Sequence, residues 1–338
     1  MQTYEIDEVG LDEDLRGAPN SEKLPAIVTD YPIHYNLRTL SYSGLLTLHS
    51  CPRKYELYRL MTKQRVEEDE GGHLSFGSVV GLGIQEYFIS GSRDKAAFLM
   101  FTSWKDSIDE DRGEKSNKTF WHALYALDKF IPFRHSVLSA YDVAIFDGKP
   151  AAELGFEISF DDGFRYRGKL DLLLIHRIKK EFLILEAKTT GQYASKINEA
   201  SYKNSGQALG YGLIVDRIAS DLNMANDYRV FYPVYATRDF TWVDFFFPKS
   251  DVQRASWLQS ILLDIGRIQQ YSEIDYFPIH GESCFSYNKQ CNFYGICTMG
   301  NSVLGLNDAS IRLDKEEDYP FKFTIQELIE AQLEKGKK

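Results

Sequence analysis

Residues 168–191 read GKLDLLLIHRIKKEFLILEAKTTG, and this stretch decides the architecture. Two short apolar runs, LDLLLI and FLILEA, flank a polar turn at Arg177 to Lys180. Runs of this length bounded by a turn read as neighbouring strands, apolar enough to be central in a sheet. Asp171 interrupts the first run, and Glu186 and Lys188 interrupt the second. Charges inside such strands are costly unless paired or metal-bound. A hairpin brings Asp171 opposite Glu186, and residues two apart, such as Glu186 and Lys188, share a face. Adjacent carboxylates repel, and a divalent cation relieves the repulsion; oxygen ligands of this kind suit Mg2+ or Mn2+. Lys188 beside them would orient or deprotonate a water or stabilise phosphoryl charge, which points to metal-assisted phosphodiester hydrolysis. A structural ion pair between Lys188 and a carboxylate is the competing reading.

Outward from this hairpin, residues 152–161 (AELGFEISFD) alternate and end at an Asp162-Gly163 turn, so the strands at 152–161, 164–176 and 181–188 form an antiparallel meander. Helical spacing follows at 199–220, then strands at 228–236 and 240–247, then a long amphipathic helix at 249–272. Upstream, residues 42–62 read as helix with a restart at Pro52, residues 78–90 as helix weakened by Gly81 and Gly83, and 93–108 and 117–146 as mainly helical. The expected class is α/β, a central mixed sheet flanked by helices. Within YKNSGQALGY, residues 202–211, Gln207 and Tyr211 lie one turn apart. An amide and a phenol on one helix face suit a phosphate or a base edge; the alternative is that Tyr211 simply packs on the sheet.

The chain has 338 residues, 43% hydrophobic and 26% charged, a balance that excludes wholesale disorder, a collagen-like fibre and a disulfide-dense mini-protein. No run reaches the roughly 18 apolar residues of a membrane span, and the acidic N-terminus lacks a signal peptide's regions, so a cytoplasmic protein without membrane contact is expected. Net charge is −10, and residues 1–30 hold eight acids against Arg16 and Lys23, which reads as a solvated arm. Nucleic acid would therefore meet a local basic groove or a metal-bridged site. Arg53, Lys54, Tyr55, Tyr58 and Arg59 would grip a single strand or form a solvated basic face, and Arg165, Arg167 and Lys169 alternate toward Asp171. Of four cysteines, Cys284, Cys291 and Cys297 lie within fourteen residues and Cys51 far upstream. Four thiolates suit a tetrahedral zinc or an iron–sulfur cluster; ordinary core cysteines are the alternative. If they share one metal, the helices before the sheet must pack with the cysteine segment.

Asp171, Glu186-Ala187-Lys188, Gln207 and Tyr211, in that order, resemble the PD-(D/E)XK nuclease superfamily, and more narrowly its RecB-like exonuclease branch with motifs G-x-x-D, E-x-K and Q-x-x-x-Y. Residues 41–58 (SYSGLLTLHSCPRKYELY) resemble the first helix of that branch, Phe76-Gly77 its FG turn, and the cysteines its iron–sulfur members. The resemblance implies a restriction-endonuclease-like core at 151–272, a helical region at 36–150, a cysteine segment at 273–300, a leader at 1–35 and a tail at 301–338. It implies Mg2+ or Mn2+ on Asp171, Glu186 and the Ala187 carbonyl, with Lys188 positioning water and Gln207 and Tyr211 on the DNA backbone. Glu153 would be an additional metal-assisting acid, or a solvent-facing strand acid. Cys51, Cys284, Cys291 and Cys297 would hold a 4Fe–4S cluster, with Zn2+ the alternative, in a subdomain joining the N- and C-terminal parts. The implied activity is a metal-dependent DNA exonuclease in phage or bacterial recombination, repair or replication, acting on single-stranded DNA or free ends, with a recombination or replication protein as partner. A catalytically inactive DNA-binding or scaffold protein on the same fold is the alternative. The chain departs from the branch in lacking its histidine near Gly81, for which Gln85 or Glu86 would substitute. Leu170 stands where the superfamily's name has proline, and the late cysteines have six and five residues between them where the branch has two and five.

Overall fold

Pro52 and Ser41 set the first helices. Ser41 accepts the Gly44 N–H at 3.2 Å and starts α1 (Tyr42–Ser50), and Pro52, which has no N–H to lose at a first position, opens α2 (Pro52–Leu60). The computed structural model describes residues 33, 36–60, 72–104, 118–222, 224, 229–286, 289–297 and 319–335. All fall in the compact unit Ile33–Lys338, so the acidic leader lies outside the described residues save Ile33. The short β1 (Thr39–Leu40) precedes α1; α3 (Gly72–Ser90), α4 (Arg93–Ser103) and α5 (Phe120–Val137) follow α2. Three short strands, β2 (Tyr141–Val143), β3 (Ile145–Phe146) and β4 (Lys149–Pro150), lead into the meander β5 (Ala152–Ser159), β6 (Arg165–His176) and β7 (Phe182–Leu185). After β8 (Lys188–Thr190) come α6 (Ala200–Lys203), α7 (Gly206–Asp221), β9 (Arg229–Ala236), β10 (Thr241–Pro248) and α8 (Asp251–Glu273). The chain closes with β11 (Phe285–Ser286), β12 (Lys289–Gln290), α9 (Tyr294–Cys297), β13 (Phe321–Thr324) and α10 (Ile325–Lys335).

The sheet is mixed, in the order β10-β9-β7-β6-β5-β13, with β5, β6 and β7 antiparallel and β7 parallel to β9. The two charged apolar runs are therefore its centre, as their hydrophobicity demands. One face packs against α3, α4 and α5 through Val80, Ile84, Leu127 and Phe130; the other packs against α1, α2, α7 and α8 through Leu48, Tyr55, Ile214 and Ile265. Among the described residues no helix is long and apolar enough to cross a membrane.

Three expectations change. Part of the tail is structural: Phe323 is buried in β13, which adds a parallel edge to β5, and α10 follows it with Leu328 in the core. Phe76-Gly77 lies inside α3, where Phe76 stacks on Tyr235 at 6.5 Å and Gly77 allows the approach of Thr189. Finally, most of the basic and aromatic run of α2 is turned into the core, and only Lys54 and Tyr58 of it are half-exposed. Arg53, Tyr55 and Arg59 are buried: Tyr55 donates to the Leu37 carbonyl at 3.1 Å, Arg59 to Asn36 at 3.1 Å, and Arg53 pairs with Glu56. Guanidinium groups tolerate burial when carbonyls and carboxylates take up their donors.

Gly168 sits across from Phe156 in the β5–β6 register, and a Cβ there would come within 2.6 Å of the Phe156 ring. That ring lies edge-on to Tyr211 at 5.8 Å. Gly168→Ala is expected to cost about 1–3 kcal/mol through overpacking, read as a lower denaturation midpoint with an unchanged slope.

Candidate active site

Alternate residues of a strand share a face, and β5 and β6 break this rule at one level. Leu154 and Leu170 belong to the core under α7 and α8, whereas Ala152 and Leu172 pack on the α3–α5 side. The register pairs Ala152 with Leu172 and Leu154 with Leu170, so Glu153 lies level with Asp171, and the pleat inverts there. Glu153 has φ of 48°, the left-handed region that non-glycine residues seldom enter. On the other side, Leu172 pairs with Leu185, which carries Asp171 level with Glu186 one step on. β7 also stops at Leu185, and the strand resumes only at Lys188. Three carboxylates thus stand in one row across three strands, where the ladder opens.

Helices on both faces close on this row. Lys188 Nζ donates to Glu186 Oε1 at 2.6 Å and to Gln207 Oε1 at 3.2 Å. The Gln207 amide donates to the Tyr211 hydroxyl at 2.7 Å, and Tyr211 donates to the Lys169 carbonyl at 2.5 Å. From α3, Gln85 Nε2 donates to Glu153 Oε1 at 2.7 Å. Glu186 is buried, at 1% exposure, and its Oε2 has no hydrogen-bond partner among the described residues. Asp171, Glu186, Lys188, Gln207, Tyr211 and Glu153 therefore occupy one place.

Burial sets the electrostatics. It raises Asp171 well above the usual carboxylate range; the Glu186 charge raises it further, Lys188 opposes, and Glu153 adds to the rise. Burial likewise raises Glu186 despite Lys188. For Lys188 burial works against the charge, but Glu186 and then Asp171 outweigh it and leave the ammonium above its ordinary value. Burial also pushes the Tyr211 phenol far up, so Tyr211 is a hydrogen-bond donor and not an anion.

The hard oxygen donors of Asp171, Glu186 and the Ala187 carbonyl, with water, are a set that Mg2+ or Mn2+ accepts, and the orphaned Glu186 Oε2 is the atom such an ion would satisfy. Among the described residues no group of three or more His, Cys, Asp and Glu side chains is arranged to hold a metal. Glu153 is the acid turned aside, onto Gln85. A Cβ at Gly81 would meet open space, so of the two residues considered in place of the missing histidine, Gln85 is the one that reaches the acids.

The four cysteines also converge. Cys51, Cys284, Cys291 and Cys297 line one small cavity with Phe293 and Tyr294, and burial followed by the neighbouring thiols raises Cys297 against the pull of Arg53. The α1–α2 junction is tied to the cysteine segment: Arg53 N–H donates to the Pro278 carbonyl at 3.0 Å, Ser283 to the Ser50 carbonyl at 2.7 Å, and His280 N–H to Cys51 Sγ at 3.5 Å. The helices before the sheet and the cysteine segment are thus in contact, while among the described residues no metal-holding arrangement of the thiols is found. Of the strand bases expected near the cleft, Arg167 is taken up by Glu157 at 2.6 Å. Residues not singled out in the sequence include Tyr42, whose phenol acts on Lys188, and buried Lys249, which donates to the Tyr202 carbonyl at 3.2 Å just before α7. Neither carries a spacing signal; each is recruited by the turn that orients α7.

A carboxyl whose folded pKa is raised favours folding below its ordinary value near 4 and loses that contribution as pH rises through the raised value. The metal-free protein should therefore lose stability toward neutral pH. Asp171→Asn should raise its stability at pH 7 by about 1–3 kcal/mol and abolish stabilisation by Mn2+, both read from thermal unfolding with and without the ion.

No curated protein matches this chain. Among solved structures, one described as "Putative exonuclease" from Eubacterium rectale is similar at 15% identity and a TM-score of 0.45, covering 79% of this chain and 91% of that one. The protein SSO0001 is similar at 12% identity and a TM-score of 0.30, covering 78% and 86%. The profile of the PD-(D/E)XK nuclease superfamily matches residues 39–298, a span that contains the acid row, Lys188, Gln207 and Tyr211, and on that match the chain belongs to the PD-(D/E)XK nuclease superfamily.

Proposed function

We propose that this chain is a metal-dependent DNA exonuclease of the RecB-like branch, serving phage or bacterial recombination, repair or replication. The observation that carries the reading is the meeting of Asp171, Glu186 and Lys188 at the opened ladder, with Glu186 Oε2 buried and unpartnered. Mg2+ or Mn2+ held by Asp171, Glu186 and the Ala187 carbonyl would supply a more acidic water and a polarised scissile phosphate. Lys188 orients that water and meets charge developing on the phosphoryl oxygens. Gln207 fixes Lys188 at 3.2 Å, and Tyr211, kept protonated, locks Gln207 to the backbone of β6. Gln85 holds Glu153 at the rim of the site, where its charge bears on Asp171 and Glu186.

Cys51, Cys284, Cys291 and Cys297 would hold a 4Fe–4S cluster in this reading, with Zn2+ as the alternative; the support is that all four cysteines line one cavity. The group would act as a staple between α1–α2 and the segment after α8, with no part in hydrolysis. Anaerobically purified protein is expected to be brown and to contain iron, whereas colourless protein with bound zinc selects the alternative. Cys291→Ser should release the metal and lower the melting temperature.

The nuclease assay uses end-labelled linear DNA and a closed circle of the same sequence with Mn2+. Linear DNA should be degraded and the circle spared. Asp171→Ala and Lys188→Ala should each slow degradation by about 10²–10⁴-fold with circular dichroism unchanged. Full activity in both variants refutes the mechanism, and binding without degradation by metal-replete protein selects the non-catalytic DNA-binding reading.

A further inference from the structure

Beyond the acid row the molecule carries a train of aromatic rings, exposed at Tyr193, Trp121 and Tyr125 and half-buried at Phe240, with cations beside them. β8 leads away from Lys188 and pairs in parallel with β9, Lys188 against Val234 and Thr190 against Ala236. The two strands run out at the same end, tied by the Thr237 N–H on the Thr190 carbonyl at 3.0 Å. Tyr193 follows β8 there, with the Arg238 guanidinium 5.1 Å over its ring and 49% of the residue open. Phe240 follows β9 with φ of 53°, a conformation that costs energy for a bulky residue, and its ring lies 5.0 Å from His122 and 6.1 Å from Tyr125 of α5. Along α5, Trp121, Tyr125 and Lys129 recur every four residues, so they share one stripe. Trp121 is 61% exposed and Tyr125 42%, and Lys129 Nζ sits 5.2 Å over the Tyr125 ring.

We infer that this ridge, from Tyr193 and Arg238 across Phe240 to Tyr125, Trp121 and Lys129, binds the unpaired strand of a nucleic acid on its way to or from the acid row. The inference rests on the nuclease reading for the direction of the strand but not for its chemistry. Rings spaced with cations match a polymer that alternates flat bases with phosphates. Among the described residues beside these rings, Asp239 accepts the Ala194 N–H, and Asp128 pairs with Arg93 at 2.8 Å. Arg238 and Lys129 therefore set cations directly against the rings in a chain of net charge −10. A duplex keeps its base faces stacked inside and offers these rings nothing, so the partner is single-stranded. The ridge begins five residues from Lys188, which gives it continuity with the site.

Binding is measured by fluorescence anisotropy with labelled single-stranded oligonucleotide and with a duplex of equal length, in full-length protein carrying Asp171→Asn so that nothing is degraded. Trp121→Ala and Tyr193→Ala should each weaken single-strand binding about 5-fold or more and leave duplex binding little changed, while Trp121→Phe retains affinity. Single strand should also quench the exposed tryptophan, and Trp121→Phe should lose that response. With Asp171 restored, the same alanine variants should hydrolyse a dinucleotide at the unaltered protein's rate. Unchanged single-strand affinity in both alanine variants overturns the ridge, and so does equal loss on duplex. If the unaltered protein degrades no DNA yet the alanine variants lose single-strand affinity, the ridge stands and the nuclease reading falls.

Discussion

Repulsion among three carboxylates at one level of a sheet is the constraint on which the rest of this structure depends. Glu153, Asp171 and Glu186 come from three adjacent strands, and each raises or is raised by another. Glu153 is exposed and Asp171 half-buried, but Glu186 is buried, and a row that runs into the core is tolerated only if something answers the charge. One lysine answers part of it, through the 2.6 Å bond to Glu186, and one amide, Gln85, draws Glu153 aside. The unanswered remainder is Glu186 Oε2. A site optimised for stability alone would have apolar residues here, as β7 and the Leu172–Ile175 stretch of β6 have.

The surrounding packing keeps the row in place. Tyr211 reaches the Lys169 carbonyl because α7 lies close to β6, and glycines let Trp257 of α8 and Tyr42 of α1 close on α7. A Cβ at Gly210 would come within 2.8 Å of Trp257, and one at Gly206 within 3.2 Å of Tyr42. The buried Arg254–Asp216 pair, at 2.9 Å, ties α7 to α8 from behind. Lys249, whose pKa burial pushes down to about 8, satisfies carbonyls at the end of α6 and sits near the Tyr232 and Phe247 rings, which seats the turn ahead of Gln207. Backbone proximity, aromatic packing and buried polar pairs therefore converge on a few ångströms of sheet.

Much of this was legible because charge inside an apolar strand is a loud signal. Asp171, Glu186 and Lys188 stand out against leucine and isoleucine, and their convergence follows from hairpin register alone. Gln207 and Tyr211 were legible through their one-turn spacing. The inverted pleat at Glu153 and Asp171 was not, because two local conformations fit the same alternation and tertiary packing selects between them. The basic run of α2 misled, since side-chain type does not reveal which donors find carbonyls: Arg59 is buried because Asn36 lies across from it. β13 was illegible for another reason. A parallel edge strand draws its hydrogen bonds from β5, more than 150 residues upstream, and four residues carry too little pattern to announce that partner.

The acidity of the chain and its family's polyanionic substrate are reconciled by where the charges sit. Screening confines electrostatic influence to about 10 Å at ordinary ionic strength, so a net charge of −10 says little about any one groove. What matters locally is whether acids are already engaged. Asp216, Asp264 and Asp128 all face arginines, at 2.9, 3.1 and 2.8 Å, and Glu157 faces Arg167 at 2.6 Å. At the row the answer is a single lysine, Lys188, and a divalent ion there would convert the acids from repelling a phosphate to attracting it. In the proposed function a divalent ion would thus serve first to bring a phosphodiester to this sheet and only then to cleave it.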